Sequence, residues 1–216
     1  MPSQYLHIVS FNIPFPADYG GVIDIYFKLK ALSQAGIRII LHCFEYGRLH
    51  SKELEDLCFK VYYYRRKHGV KYLFQSDPYI VVTRNANTMP KNLLADSFPV
   101  LFEGLHTTGI LHQCKEARKL TLVRTHNIEH DYYRGLARST RNPLHKLFFL
   151  TEASKLKRYE NILHQTDHIL SIARHEALYF SENYGDAKLI PAFHRFEELN
   201  SLPGSGTYIL YHGNLG

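Results

Sequence analysis

The chain has 216 residues, 45% of them hydrophobic and 21% charged, an ordinary globular composition with ample material for a core. Its formal charge of +6, with fourteen His behind it, favours phosphates or an anionic membrane surface as partners. Nucleic acid is excluded because no finger, basic zipper or aromatic-basic RNA motif is present. Cys43, Cys58 and Cys114 have no paired spacing and fit a reducing compartment. The N-terminus shows no signal-peptide pattern, and no apolar run approaches the roughly 20 residues that span a bilayer. The expected location is the cytoplasm, with at most peripheral contact at the inner face of a membrane.

Along the chain strands and helices alternate. Residues 5–11 form an apolar strand that ends in a Pro/Gly loop, and Val22, Ile25, Tyr26, Leu29 and Leu32 then repeat at helical spacing until Gly36. Strands follow at 37–43 and 59–64, with a short helix at 51–57 between them. The stretch 69–97 is ambiguous: PYIVVTR suits strand or helix, whereas Lys91 to Asp96 reads as helix. Beyond it come strand 99–103, helix 107–116, strand 119–124, helix 127–137 and a long helix opened by Pro143 and running to His164. Strand 168–173, helix 174–183 and strand 187–190 complete the series. This alternation predicts an α/β fold, a Rossmann-like parallel sheet with helices on both faces, whose ligands bind outside the carboxyl ends of the strands. Residues 197–206 (EELNSLPGSG) read as a linker and 207–214 as the first strand of another unit. The expected division is thus 1–196, a Rossmann-like domain, 197–206, a linker, and 207–216, the start of a further domain.

Three segments can carry chemistry. Asp18-Tyr19-Gly20-Gly21 joins the first strand to the first helix. Its glycines either meet backbone-angle demands or let an anion approach the helix start. In LFEGLHTTG (101–109), Glu103 and His106 stand at the carboxyl end of a strand that should be central. A buried carboxylate beside an imidazole can orient a sugar hydroxyl, and Thr107 or Thr108 can equally cap the next helix. His126, Glu129 and His130 match the zinc-peptidase order H-x-x-E-H. Here, however, His126 ends a strand and Asn127 looks like a helix cap, so cleft-lining polar groups are the better reading. The basic tract Arg65 to His68 reads as a solvated charge run. The long helix carries Lys146, Lys155, Lys157 and Arg158 and reads as an amphipathic helix on the sheet, or as a surface for anionic lipid.

Taken together, HIVSFNIPFPADYGGVIDIYFKLKAL (7–32), LFEGLHTTG, VRTHNIEHDYYRGLA, AKLIPAFHRF (187–196) and YILYHGNLG resemble the N-terminal, acceptor-side part of the retaining GT-B glycosyltransferases. These are the large nucleotide-sugar-dependent family of mannosyl- and glucosyltransferases of cell-envelope glycans. The resemblance implies two Rossmann-like domains facing a cleft, with no cofactor and no metal. It places Gly20 and Gly21 at the donor phosphates, and His106 and Glu103 at the catalytic centre. Asp18, Tyr19, His126 and Asn127 would line the acceptor cleft. The family's basic diphosphate ligands and paired nucleotide-binding glutamates belong to its second domain, so this chain is expected to be inactive alone.

The implied reaction moves a hexose from a nucleotide sugar to a glycan or lipid-linked acceptor. A non-catalytic glycan- or anion-binding module and half of a sugar-nucleotide epimerase are the competing expectations.

Overall fold

The computed structural model describes residues 4–196, together with 198, 204 and 205. The expected strand at 207–214 and the domain boundary before it lie outside the described residues, as does most of the expected linker.

Seven strands form one parallel sheet: β1 (Tyr5–Ser10), β2 (Arg38–Glu45), β3 (Lys60–Arg65), β4 (Val100–Glu103), β5 (Thr121–Thr125), β6 (His168–Ser171) and β7 (Ala187–Leu189), in the order β3-β2-β1-β4-β5-β6-β7. The order reverses at β1, the kind of switch point where doubly wound sheets open a ligand crevice. Register follows the apolar alternation. Ile8 pairs with Leu41 and Leu101 on one face, whereas Val9 pairs with Phe102 toward the other. Each face has its own core. Ile8, Leu41 and Leu101 pack under α1 (Gly20–Gln34) and α2 (Lys52–Leu57) through Ile25, Leu29 and Leu54. On the opposite face Val9, Phe102, Val123 and Ile169 pack under α4 (Met89–Leu93), α5 (Leu111–Glu116) and α8 (Arg174–Tyr184) through Met89, Leu111 and Phe180.

Helix ends follow local chemistry. At the end of α1, Gly36 adopts φ +82°, its N–H reaches Ser33 O at 2.9 Å and that of Ile37 reaches Leu32 O at 3.0 Å. This hydrogen-bond pair closes a helix on a left-handed residue. α7 (Pro143–Tyr159) starts at Pro143 as expected, and the Asn142 side chain caps it by accepting from the N–H groups of Leu144 and His145. A 3-10 turn continues α7 over Glu160–Gln165.

One open reading is settled and two expectations change. The ambiguous PYIVVTR stretch is a helix, α3 (Tyr79–Val82), held at its start by Tyr79 N–H donating to Glu152 of α7. Residues Leu105–Ile110 form a 3-10 turn rather than the opening of a capped α-helix: Thr107 donates to Glu103 O and Gly104 O, and Thr108 to Leu105 O. Asn127 does not cap α6 (Glu129–Ser139); the flanking residue there is Ile128, without a side-chain cap.

Candidate functional site

Because all strands run the same way, the residues just beyond β1, β2, β3, β4 and β5 share one edge. They are Phe11, Tyr46, Arg66, Gly104 and His126. Phe11 is the hub. Its ring centroid lies 5.3 Å from that of His106 and 5.6 Å from that of His126, and its Cζ atom lies against Gly21. The structure therefore brings the first loop, His106 and His126 together.

Gly104 permits this approach. It has φ +71°, and a Cβ there would lie 2.8 Å from His106 Nδ1. Either fact alone makes a larger residue costly.

Behind the edge lies a buried charge network. Arg124 grips both Asp24 oxygens at 2.9 Å, and Lys28 Nζ lies 3.1 Å from Asp24 and 2.8 Å from Glu103. The other Glu103 oxygen lies 2.9 Å from His126 Nε2. Arg124 also donates to the carbonyls of Ile190 and Pro191, and Phe193 N–H donates to Asp24, which ties the segment after β7 to α1. Burial would raise both carboxyls. The Lys28 and Arg124 charges outweigh it for Asp24 and hold it down at about 2; Lys28 and His126 hold Glu103 below its ordinary value. Glu103 is fully buried and holds His126 from behind, at 2.9 Å.

The carboxylates of Asp24 and Glu103 and the His126 ring nitrogen come within 4.8 Å of one another, as metal ligands would. The ammonium of Lys28 and the guanidinium of Arg124 already take those oxygens, so the cationic position is filled by the chain itself. The H-x-x-E-H residues diverge: His126 faces Glu103, Glu129 faces His106 at 3.9 Å, and His130 faces Glu160 at 3.4 Å.

Burial and the charges of Arg84, His126 and Arg66 keep His106 neutral, well below the usual histidine range. Burial also pushes Glu129 up to about 7, opposed by Asn127 and Arg84 and reinforced by Glu176 and Glu160. The remaining loop residues stand at the rim. Asp18 is exposed and paired with Arg48; Tyr19 receives a hydrogen bond from Asn12 Nδ2 at 3.1 Å, and Asn127 is exposed beside His126. Asp18 also borders a cleft of about 640 Å³ between Phe15 and Glu53. Gly20, Gly21 and Val22 precede the first helical hydrogen bond, from Ile23 N–H to Tyr19 O, and so leave their N–H groups outside the helix ladder. The three cysteines are free and buried, and burial raises Cys58 and Cys114 to about 12, so neither is a ready thiolate.

The sequence reading missed Asp24, Lys28 and Arg124. The available signal was a charged residue inside the apolar strand TLVRT and an i,i+4 acid–base pair beside the apolar stripe of α1. It also misread Arg66: inside the expected solvated run, this residue is only 7% exposed.

Among solved structures, LpCGTa in complex with UDP superposes with a TM-score of 0.51 at 12% identity, over 89% of this chain and 55% of that one. The fold is a Rossmann-like α/β sheet that matches about half of a GT-B glycosyltransferase. Phytolacca americana UGT2, complexed with UDP-2fluoro-glucose and pterostilbene, matches with a TM-score of 0.48 at 9% identity, over 88% of this chain and 52% of that one. In sequence the chain is 27% identical to an "Uncharacterized 44.6 kDa protein in cps region" of Klebsiella pneumoniae, over 96% of this chain and 55% of that protein. No family model matches. The chain thus spans about half the length of these relatives.

Proposed function

We propose that this chain is the acceptor-side part of a glycosyltransferase that moves a hexose from a nucleotide sugar to a glycan or lipid-linked acceptor. The observation that carries the reading is the gathering of Gly21, His106 and His126 around Phe11 at the carboxyl edge of a glycosyltransferase-type sheet. The relative described as lying "in cps region" supports an envelope-glycan setting.

In this reading the neutral His106 exchanges hydrogen bonds with the transferred sugar. His126, backed by the Glu103 carboxylate, orients the acceptor hydroxyl and its proton. The free N–H groups at the start of α1 meet the donor phosphates, while Asp18, Tyr19 and Asn127 line the acceptor side. Retention at the anomeric carbon and independence of metal belong to the same proposal, on the strength of the sequence resemblance. No helix among the described residues is long and apolar enough to cross a membrane. Exposed Leu144, Leu147 and Leu150 beside Lys146 on α7 support peripheral contact with anionic lipid.

The test is a transfer assay of the complete gene product against a panel of nucleotide sugars, with NMR of the product's anomeric configuration. His106→Ala should lower turnover about 100-fold or more with an unchanged circular dichroism spectrum. Undiminished turnover in that variant would remove His106 from the site. Acceptor binding without any transfer would leave the binding-module reading instead.

A further inference from the structure

Six cationic side chains are buried among the described residues: Lys28, Arg66, Arg84, Lys119, Arg124 and Lys155. Four of them have a carboxylate within 3.1 Å. Arg66 and Arg84 are each 7% exposed, and among the described residues neither has an Asp or Glu oxygen within ion-pair distance. Their stems are buried but their unbonded terminal nitrogens are not sealed from solvent, so two guanidiniums without a carboxylate partner stand open to an anion.

Their placement agrees with this. Arg84 donates from Nε to Phe11 O and from Nη1 to Ile80 O, both at 2.8 Å, which ties it to the backbone of Phe11, the residue whose ring meets His106 and His126. Arg66 donates from Nε to Thr83 Oγ1 at 3.2 Å, and its guanidinium lies 4.2 Å from the centroid of the exposed Tyr46 ring. Thr83, which holds Arg66, directly precedes Arg84 in the chain. Among the described residues, both terminal nitrogens of Arg66 and Nη2 of Arg84 make no hydrogen bond to protein. Arg66 also borders an open cavity of about 400 Å³ with Lys67, His68 and Tyr72.

We infer that Arg66 and Arg84 form a site for a phosphate group carried by a ligand of the His106 edge, with the terminal nitrogens of Arg66 and Nη2 of Arg84 as donors. Two guanidiniums match the charge of a phosphate monoester, about −1.5 to −2 at neutral pH, better than that of a single carboxylate. Their planar forks suit its oxygens. The repulsion is already felt: burial and the neighbouring Arg66 pull Arg84 down to about 9. The nearby Glu129, pushed up to about 7, is only partly charged at neutral pH and leaves the positive charge uncompensated. Which ligand brings the phosphate, a phosphorylated acceptor or the donor diphosphate, rests on the glycosyltransferase reading.

Calorimetric titration of the protein with inorganic phosphate, a hexose 1-phosphate, UDP and a hexuronate, at constant ionic strength, tests the inference. Hexose 1-phosphate should bind and raise the melting temperature, with affinity falling about tenfold or more in Arg66→Gln, while the hexuronate binds at most weakly. Arg66→Lys, which keeps the charge without the fork, should fall between them and guards against a folding failure of the first variant. If UDP rather than the hexose phosphate shows the dependence on Arg66, the phosphate is the donor's. Equal binding of every phosphate to wild type and Arg66→Gln, or binding to neither, overturns the site. Phosphate binding with no hexosyl transfer by the complete gene product would sink the enzyme reading and leave this site standing. Transfer without Arg66-dependent phosphate binding would do the reverse.

Discussion

Glu103 stands between two bases: one oxygen lies 2.8 Å from Lys28 Nζ and the other 2.9 Å from His126 Nε2. Glu103→Gln keeps the shape but leaves Lys28 and Arg124 against Asp24 alone. Breaking a buried ion network in this way costs about 3–5 kcal/mol, read as a lower urea midpoint. A loss below about 1 kcal/mol, the scale of an exposed pair, would show that Glu103 is not part of a closed network.

Asp24 sets part of the acid stability. Its folded value of about 2 lies below the ordinary 3.8, so its contribution is present above 3.8 and lost as pH falls through about 2. The shift corresponds to about 2 kcal/mol. Unfolding free energies measured between pH 5 and 2 should show this loss in wild type. The Asp24→Asn variant should be less stable at pH 5 and should lack that component of the slope.

Glu129 acts in the opposite sense. Its folded value of about 7 exceeds the ordinary 4.5, so its contribution is full below 4.5 and lost as pH rises through about 7. Glu129→Gln, neutral at every pH, should therefore gain on wild type at pH 8 by up to about 3 kcal/mol and hardly differ at pH 4. Equal pH profiles for the two proteins would contradict the buried, protonated carboxyl.

His7 and His42 share a hydrogen bond of 2.8 Å inside the sheet, and His42 Nδ1 lies 2.8 Å from the Tyr64 hydroxyl. Burial lowers both. Asp96 partly opposes this for His7, whereas the charges of His7 and Lys119 reinforce it for His42. The unfolded chain takes up these protons near 6.5 and the native one only at lower pH, so their contribution is present above 6.5 and lost as pH falls below it. His42→Gln should flatten the fall in unfolding free energy between pH 7 and 5, measured by urea denaturation.

Gly104→Ala places a methyl group 2.8 Å from His106 Nδ1 at φ +71°. The backbone alone should cost about 1–2 kcal/mol, and His106 must move. Ligand affinity at the edge should fall more than in Gly109→Ala, where the new methyl only touches Val81 at 3.5 Å. Equal effects would mean that His106 is not held by this contact.

The alternation of strands and helices was legible because it depends on neighbours in the chain. The period-2 and period-3.6 apolar patterns, Gly36 beyond α1 and Pro143 at the start of α7 all act locally. Boundaries blurred where two local preferences competed. PYIVVTR is apolar enough for a strand, and a contact with Glu152, 73 residues away, makes it a helix.

The site divides along the same line. Gly20, Gly21, His106 and His126 stand at strand-to-helix junctions, and a parallel sheet puts all such junctions on one edge, so sequence alone determined that they would meet. The tertiary structure decided how they are held. Arg124 meets Asp24 across 100 residues of chain, and Arg66 changes from one of a basic run to a largely buried residue once Thr83 and Tyr46 close on it. The fate of a charge depends on what desolvates and pairs it, and in this chain those partners come from distant segments.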